Sequence, residues 1–219
     1  MPRRGSRGPP VRIGAADALL VVDVQGDFLP GGALAVPEGD AVVAPIRALA
    51  ASFRTVVLTQ DWHPAGHASF ASAHPGRAPF ETVRLAYGEQ VLWPDHCVQG
   101  SPGAALAPGL DLPGAALVLR KGLNPSVDSY SAFAEADGTR TGLSGYLRER
   151  GVERVVLCGL ATDYCVAWSA LDARAAGFAA AVVTDATRAI DRGGSLAAAW
   201  ARMEAAGVGR VVGADLSGS

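Results

Sequence analysis

The segment TQDWHPAGHASF sets Asp61, His63 and His67 close together, and LWPDHCVQG adds His96. On extended backbone the side chains alternate with period two, so Asp61 and His63 fall on one side. A returning loop with His96 would complete a set of one carboxylate and two imidazoles. Such N/O donors suit zinc, iron(II) or manganese and leave coordination positions for water or substrate. A lone loop histidine is more often a surface residue than a ligand, so spacing alone leaves metal and surface readings open. His67 reads as a ligand, an outer partner of the site or a loop-ordering residue. His74, in SAHPGR, reads as a surface residue, and Cys97 as packed.

CGLATDYCV holds the other two cysteines. Cys158 stands among apolar neighbours inside a strand, where burial makes a thiol inert. Cys165 follows the strand end and one turn, where a helix is expected to begin. Free N–H groups at such a start favour a thiolate and can hold a developing oxyanion. A nucleophile there needs a proton acceptor and a cation, and Asp23 and Lys121 are the right types. The same two residues could equally form a structural ion pair.

These residues need elements to carry them. Apolar, β-rich runs occur at 18–25, 54–61, 115–122, 154–162, 178–187 and 209–215. Helices are expected over 39–52, with Pro45 near the first turn, and near 140–150, 163–176 and 194–207. Strands apolar on both faces, alternating with helices, predict an α/β fold: a doubly wound, mostly parallel sheet of six strands covered on both faces. Ligands in such folds bind beyond the carboxyl ends of the strands. Asp23, Asp61 and Lys121 stand at three of those ends, and Cys165 just past a fourth. The segment 62–114, rich in Pro and Gly, breaks the rhythm, and so long a connection usually carries function.

The 219 residues suit one domain over 18–219, after a basic tail at 1–17 that lacks the apolar stretch of a secretory signal. With 49% hydrophobic residues the chain can bury a core, and a net charge of −2 gives no basic field for nucleic acid. No apolar run is long enough to span a membrane. Three cysteines, an odd count, point to free thiols and a cytoplasmic location. A homo-oligomer stays open.

VVDVQGDFLPGGAL, TQDWHPAGHASF, WPDHCVQG, KGLNPSVDSYSAF and CGLATDYCV, in this order, resemble the motifs of nicotinamidases in the isochorismatase-like cysteine hydrolase superfamily. The likeness runs from about residue 18 to 213. It implies the three-layer α/β/α fold of that superfamily and a metal-assisted hydrolysis of nicotinamide to nicotinate and ammonia in NAD salvage, with pyrazinamide as a further substrate. It implies a triad of Asp23, Lys121 and Cys165 and a thioester on Cys165. The metal, zinc foremost with iron or manganese as alternatives, would sit on Asp61, His63 and His96, with His67 outside. The backbone N–H groups of Ala161 and Cys165 would form an oxyanion hole, with a cis peptide between Leu160 and Ala161. Phe28, Trp93 and Tyr130 would surround the pyridine ring. The rival readings are a related amidohydrolase acting on a carbamoyl or ureido group, and a non-catalytic metal-binding module.

Overall fold

The apolar runs become strands whose two faces feed separate cores. In the computed structural model, which describes residues 11–218, strands form at β1 (Val11–Ile13), β2 (Asp17–Val22), β3 (Thr55–Asp61), β4 (Thr82–Leu85), β5 (Gly88–Val91), β6 (Leu117–Lys121), β7 (Arg154–Leu160), β8 (Ala179–Arg188), β9 (Gly209–Val211) and β10 (Leu216–Gly218). The helices are α1 (Val43–Ala50), α2 (Leu143–Glu149), α3 (Ala167–Ala175) and α4 (Ser195–Ala205). Six strands form one sheet in the order β6-β3-β2-β7-β8-β9, every neighbouring pair parallel. Pro45 sits in the first turn of α1, where its missing N–H removes no helical hydrogen bond.

Alternation decides which core each residue joins. Leu19 and Val21 of β2 pack with Val156 and Cys158 of β7 and with Ile46 and Leu49 of α1. Ala18, Leu20 and Val22 face the other way, toward Leu147 of α2, Ala170 of α3 and Met203 of α4. Three layers result, α1 and the long 62–114 segment on one face and α2, α3 and α4 on the other. That segment holds no α-helix, only short 3-10 turns at Ala71–Ala73 and Pro102–Ala104 and the antiparallel hairpin β4–β5.

The chain starts its sheet in the middle, at β2, steps out to β3 and β6, then returns to the other flank of β2 with β7. The order reverses beside β2, and such a switch point opens a crevice at the carboxyl ends of the strands. A turn builds this crevice. Gly159 has φ +108°, and a Cβ there would run into the Val22 carbonyl of β2. Only glycine lets β7 approach so closely before the chain turns away.

Two expected boundaries move. Of the stretch read as a tail over 1–17, residues 1–10 lie outside the described residues. Residues 11–13 pair in parallel with 216–218, Ile13 is buried, and Asp17 opens β2. Arg154 reinforces this end by gripping the Asp17 carboxylate at 2.7 and 2.8 Å and the Arg12 carbonyl at 2.8 Å. The strand expected over 209–215 stops at Val211, because Gly213–Asp215 turns to bring β10 onto β1.

Candidate active site

Parallel register places the first charged pair. Asp61 of β3 lies directly opposite Lys121 of β6, so both side chains emerge on the same face at the strand ends. Asp23 follows β2 with φ +47°, a left-handed turn that ends the strand. Thr59, two residues before Asp61, fixes Asp23 twice: its hydroxyl donates to Asp23 Oδ1 at 2.6 Å and accepts the Asp23 N–H at 3.1 Å. Gln25 ties the two strand ends together. Its amide accepts the Asp61 N–H and donates to the Asp61 carbonyl, both at 2.8 Å.

Lys121 is the hub. Its ammonium lies 2.9 Å from Asp23 Oδ2, donates to Asp61 Oδ1 and to the Ser129 carbonyl at 2.7 Å, and stands 3.5 Å from Cys165 Sγ. All three of Asp23, Lys121 and Cys165 are buried. Asp23 Oδ2 faces the ammonium without a well-directed hydrogen bond, so it keeps acceptor capacity. Oxygens of Asp23 and Asp61 and the Cys165 sulfur lie within 4.8 Å of one another.

Burial governs protonation here. It pushes the Asp23 carboxyl up to about 6, with Lys121 pulling down and Asp61 pushing further up. Burial alone would depress the Lys121 ammonium, but Asp23 and Asp61 outweigh it and hold its proton well above the usual lysine range. Burial raises the Cys165 thiol well above its ordinary value, although Lys121 opposes this. This direction runs against the sequence expectation of a thiolate favoured by a helix start: desolvation outweighs the pull of the ammonium. A thiol so placed ionises by passing its proton to a nearby acceptor.

The turn carrying Cys165 is wider than an α-turn. Residues 162–166 form a π-helical turn ahead of α3, and the Ala161 carbonyl accepts from the N–H groups of Tyr164 and Val166, both at 3.1 Å. The Cys165 N–H, the regular α-helical partner of that carbonyl, is skipped. The Leu160–Ala161 peptide is cis. Cys158, by contrast, is fully buried in β7, its thiol raised by desolvation alone. Cys97 is buried too and its thiol is raised, chiefly by desolvation.

On the other side of Asp61 stand two imidazoles. His63 Nε2 and His96 Nε2 lie 3.8 and 3.9 Å from Asp61 Oδ2. Each ring is held by its other nitrogen, His63 Nδ1 on the Gly122 carbonyl at 3.1 Å and His96 Nδ1 on the Pro94 carbonyl at 2.8 Å. A carbonyl only accepts, so each Nδ1 carries a proton and each Nε2 is the nitrogen turned toward Asp61. Burial, then the His96 ring, hold the His63 imidazole well below its ordinary value and so neutral. One carboxylate and two oriented imidazoles suit a divalent metal. Gly122 makes room for this, since a Cβ at that position would strike the His63 ring. The loop bearing His96 is fixed beside His63, whose N–H donates to the Cys97 carbonyl at 3.0 Å.

His67 is spent otherwise. Its Nδ1 accepts the Ser69 N–H at 3.2 Å, which leaves the proton on Nε2, facing the Val127 carbonyl at 3.2 Å. With neither nitrogen free, it orders the loop. His74 likewise meets the Ala68 carbonyl at 2.8 Å.

Between the thiol and the imidazoles opens a narrow cleft. Phe28, Trp93 and Tyr130 line it, joined by Tyr164, Leu34 and Ile190, which the sequence reading did not single out. Trp93 donates from Nε1 to the Tyr130 hydroxyl at 3.0 Å and stands edge-on to Tyr164, with centroids 4.9 Å apart. Phe28 leans on His96 at 5.5 Å. The cleft's aromatic walls offer faces and edges on which a flat ring can pack. Asp128 also lines it and was not anticipated, nor were Thr59 and Gln25. Thr59 had one signal, its place two residues before Asp61 on the same strand face.

Comparison with known proteins supplies an independent view of the whole chain. The isochorismatase domain family matches residues 17–215. A nicotinamidase of Acinetobacter baylyi is 56% identical over 195 residues, covering 89% of this chain and 91% of its own. A solved nicotinamidase and pyrazinamidase of Acinetobacter baumanii superposes with a TM-score of 0.91 at 54% identity, over 92% of this chain and 98% of that one. A pyrazinamidase of Pyrococcus horikoshii in complex with zinc gives 0.74 at 38% identity, over 90% and 99%.

Proposed function

The chain belongs to the isochorismatase domain family, and from that premise we propose that it is a nicotinamidase, hydrolysing nicotinamide to nicotinate and ammonia in NAD salvage. One observation carries the reading beyond family likeness. A single buried ammonium, Lys121, joins a thiol and a proton acceptor on one side to a metal-type donor set on the other, across an aromatic cleft. Pyrazinamide, a ring of the same size and carboxamide, is a further substrate.

In this mechanism Phe28, Trp93 and Tyr130 hold the ring and exclude water, and the carboxamide lies against Cys165. The thiol proton passes to Asp23 as the sulfur attacks the carbonyl carbon and the C–S bond forms. Lys121 stabilises the charge on sulfur and carboxylate. The oxyanion accepts hydrogen bonds from the Ala161 and Cys165 N–H groups, and a lost donor of this kind typically costs about 2.7–4 kcal/mol. Asp23 returns its proton to nitrogen, the C–N bond breaks and ammonia leaves. Water then attacks the thioester and gives one proton to Asp23, the C–S bond breaks, that proton restores the thiol, and the acid formed releases water's second proton to solvent as nicotinate. Asp61, His63 and His96 would hold a divalent ion, zinc foremost, whose positive charge gives the ring nitrogen an anchor. The fit rests on the two Nε2 atoms turned toward Asp61 and on the zinc-bound relative. Three free cysteines among the described residues accord with a cytoplasmic location.

The test is ammonia release from nicotinamide by metal-replete protein and by Cys165→Ala. Activity in the first and none in a folded second supports the assignment, and chelation followed by metal should remove and restore it. Equal ammonia release by the two proteins would overturn it.

A further inference from the structure

Asp128 is a carboxylate that neither the fold nor the mechanism above employs. It is 3% exposed and lines the cleft. Its Oδ2 accepts from Gln90 Nε2 at 2.7 Å and its Oδ1 from the Ser129 N–H at 2.8 Å. An ionised carboxylate has about four acceptor positions, so roughly half stay unused. Among the described residues, no lysine, arginine or histidine nitrogen lies within 4.0 Å of it. A buried carboxylate with no cation is costly to keep. Whatever enters the cleft must therefore supply a positive charge or strong donors at this point.

Position identifies the donor. One Asp128 oxygen lies within 4.8 Å of ring nitrogens of both His63 and His67, on the imidazole side of the cleft. That separation is too long for a direct hydrogen bond and suits one bridging molecule. A neutral pyridine offers no N–H or O–H to this side. Charge leads to the same answer. Among the described residues, the buried acidic groups at the cleft and the ammonium hub are Asp23, Asp61 and Asp128, and the buried cation there is Lys121, an excess of two negatives that a divalent ion would cancel.

We propose that Asp128 is the outer carboxylate of the metal site, accepting a hydrogen bond from a water molecule on the metal held by Asp61, His63 and His96. This rests on the metal site of the proposed function. Asp128 then raises metal affinity by its charge and orients the water without touching the ion. Gln90, steadied by the Tyr87 hydroxyl on its Oε1 at 3.0 Å, aims the carboxylate.

The experiment measures the zinc dissociation constant by competition with a chelating dye, for the wild type, Asp61→Asn and Asp128→Asn, with the melting temperature of each metal-free protein alongside. Loss of an outer partner of this kind typically weakens metal binding about 10–100-fold, and that is the expected loss for Asp128→Asn. Its metal-free form should melt no lower than the wild type, because a buried, unpaired charge has been removed. Zinc binding by Asp128→Asn within about twofold of the wild type, while Asp61→Asn fails to bind, would overturn this inference and leave the proposed metal site standing. Weaker binding accompanied by a lower metal-free melting temperature would also overturn it, making Asp128 a structural residue. A wild type that binds no zinc would overturn both readings.

Discussion

Replacing Lys121 by methionine keeps much of its length and removes the cation that stands between two buried carboxylates. Breaking a buried ion pair by removing one partner costs about 3–5 kcal/mol. A second route gives a compatible figure. Oxygens of Asp23 and Asp61 lie within 4.8 Å of each other, and at an effective dielectric near 20 two such charges repel by about 3 kcal/mol. At roughly 2–4 °C per kcal/mol for a chain of this size, the melting temperature should fall by about 6–20 °C near neutral pH. The sign of the pH dependence follows from Asp23. Burial holds its folded carboxyl at about 6 against a reference of 3.8, with Lys121 pulling it down, so loss of Lys121 raises it further. A folded value above the unfolded one makes the penalty small at low pH and larger as pH rises through the folded value. Metal-free wild type and Lys121→Met should therefore differ more in melting temperature at about pH 7.5 than at about pH 5. A difference that stays constant or widens toward acid would refute the assignment of Lys121 as the neutraliser of Asp23 and Asp61.

The protonation state of Asp23 also sets an activity limit. With its carboxyl at about 6, kcat/KM for nicotinamide should decline below about pH 6 as the proton acceptor is lost. An acid limb centred in the ordinary carboxylate range would exclude Asp23 from that role. Cys158→Ala should leave kcat unchanged and cost about 1 kcal/mol of stability, read by denaturant unfolding beside the activity assay; a folded variant without activity would contradict its position in the β7 core.

Most of this site was legible because strand ends announce themselves. Apolar runs that stop at Asp23, Asp61 and Lys121 identify both the strand and the direction in which its last side chain emerges, and a parallel sheet brings such ends together. The sequence could also separate Cys158 from Cys165, since one lies within an apolar run and the other past a Gly-containing turn. It could not tell how deeply Cys165 would be buried. That depth depends on residues from distant segments, Tyr130 and Phe133 among them, and it works against the expected ionisation of the thiol. Gln25 and Asp128 escaped for a related reason: their partners Asp61 and Gln90 are 36 and 38 residues away, and no local pattern marks a polar residue whose purpose is to meet another loop. The tail boundary moved because three residues of β1 find β10 at the opposite end of the chain.

Local pattern thus identifies groups that carry chemistry at strand ends, while the groups that tune their charge come from long-range packing. The balance of Asp23, Asp61 and Asp128 against Lys121 belongs to the second kind. A buried carboxylate without a cation is costly to keep. One ammonium offsets part of three such groups, and the divalent ion proposed for Asp61, His63 and His96 would offset the rest.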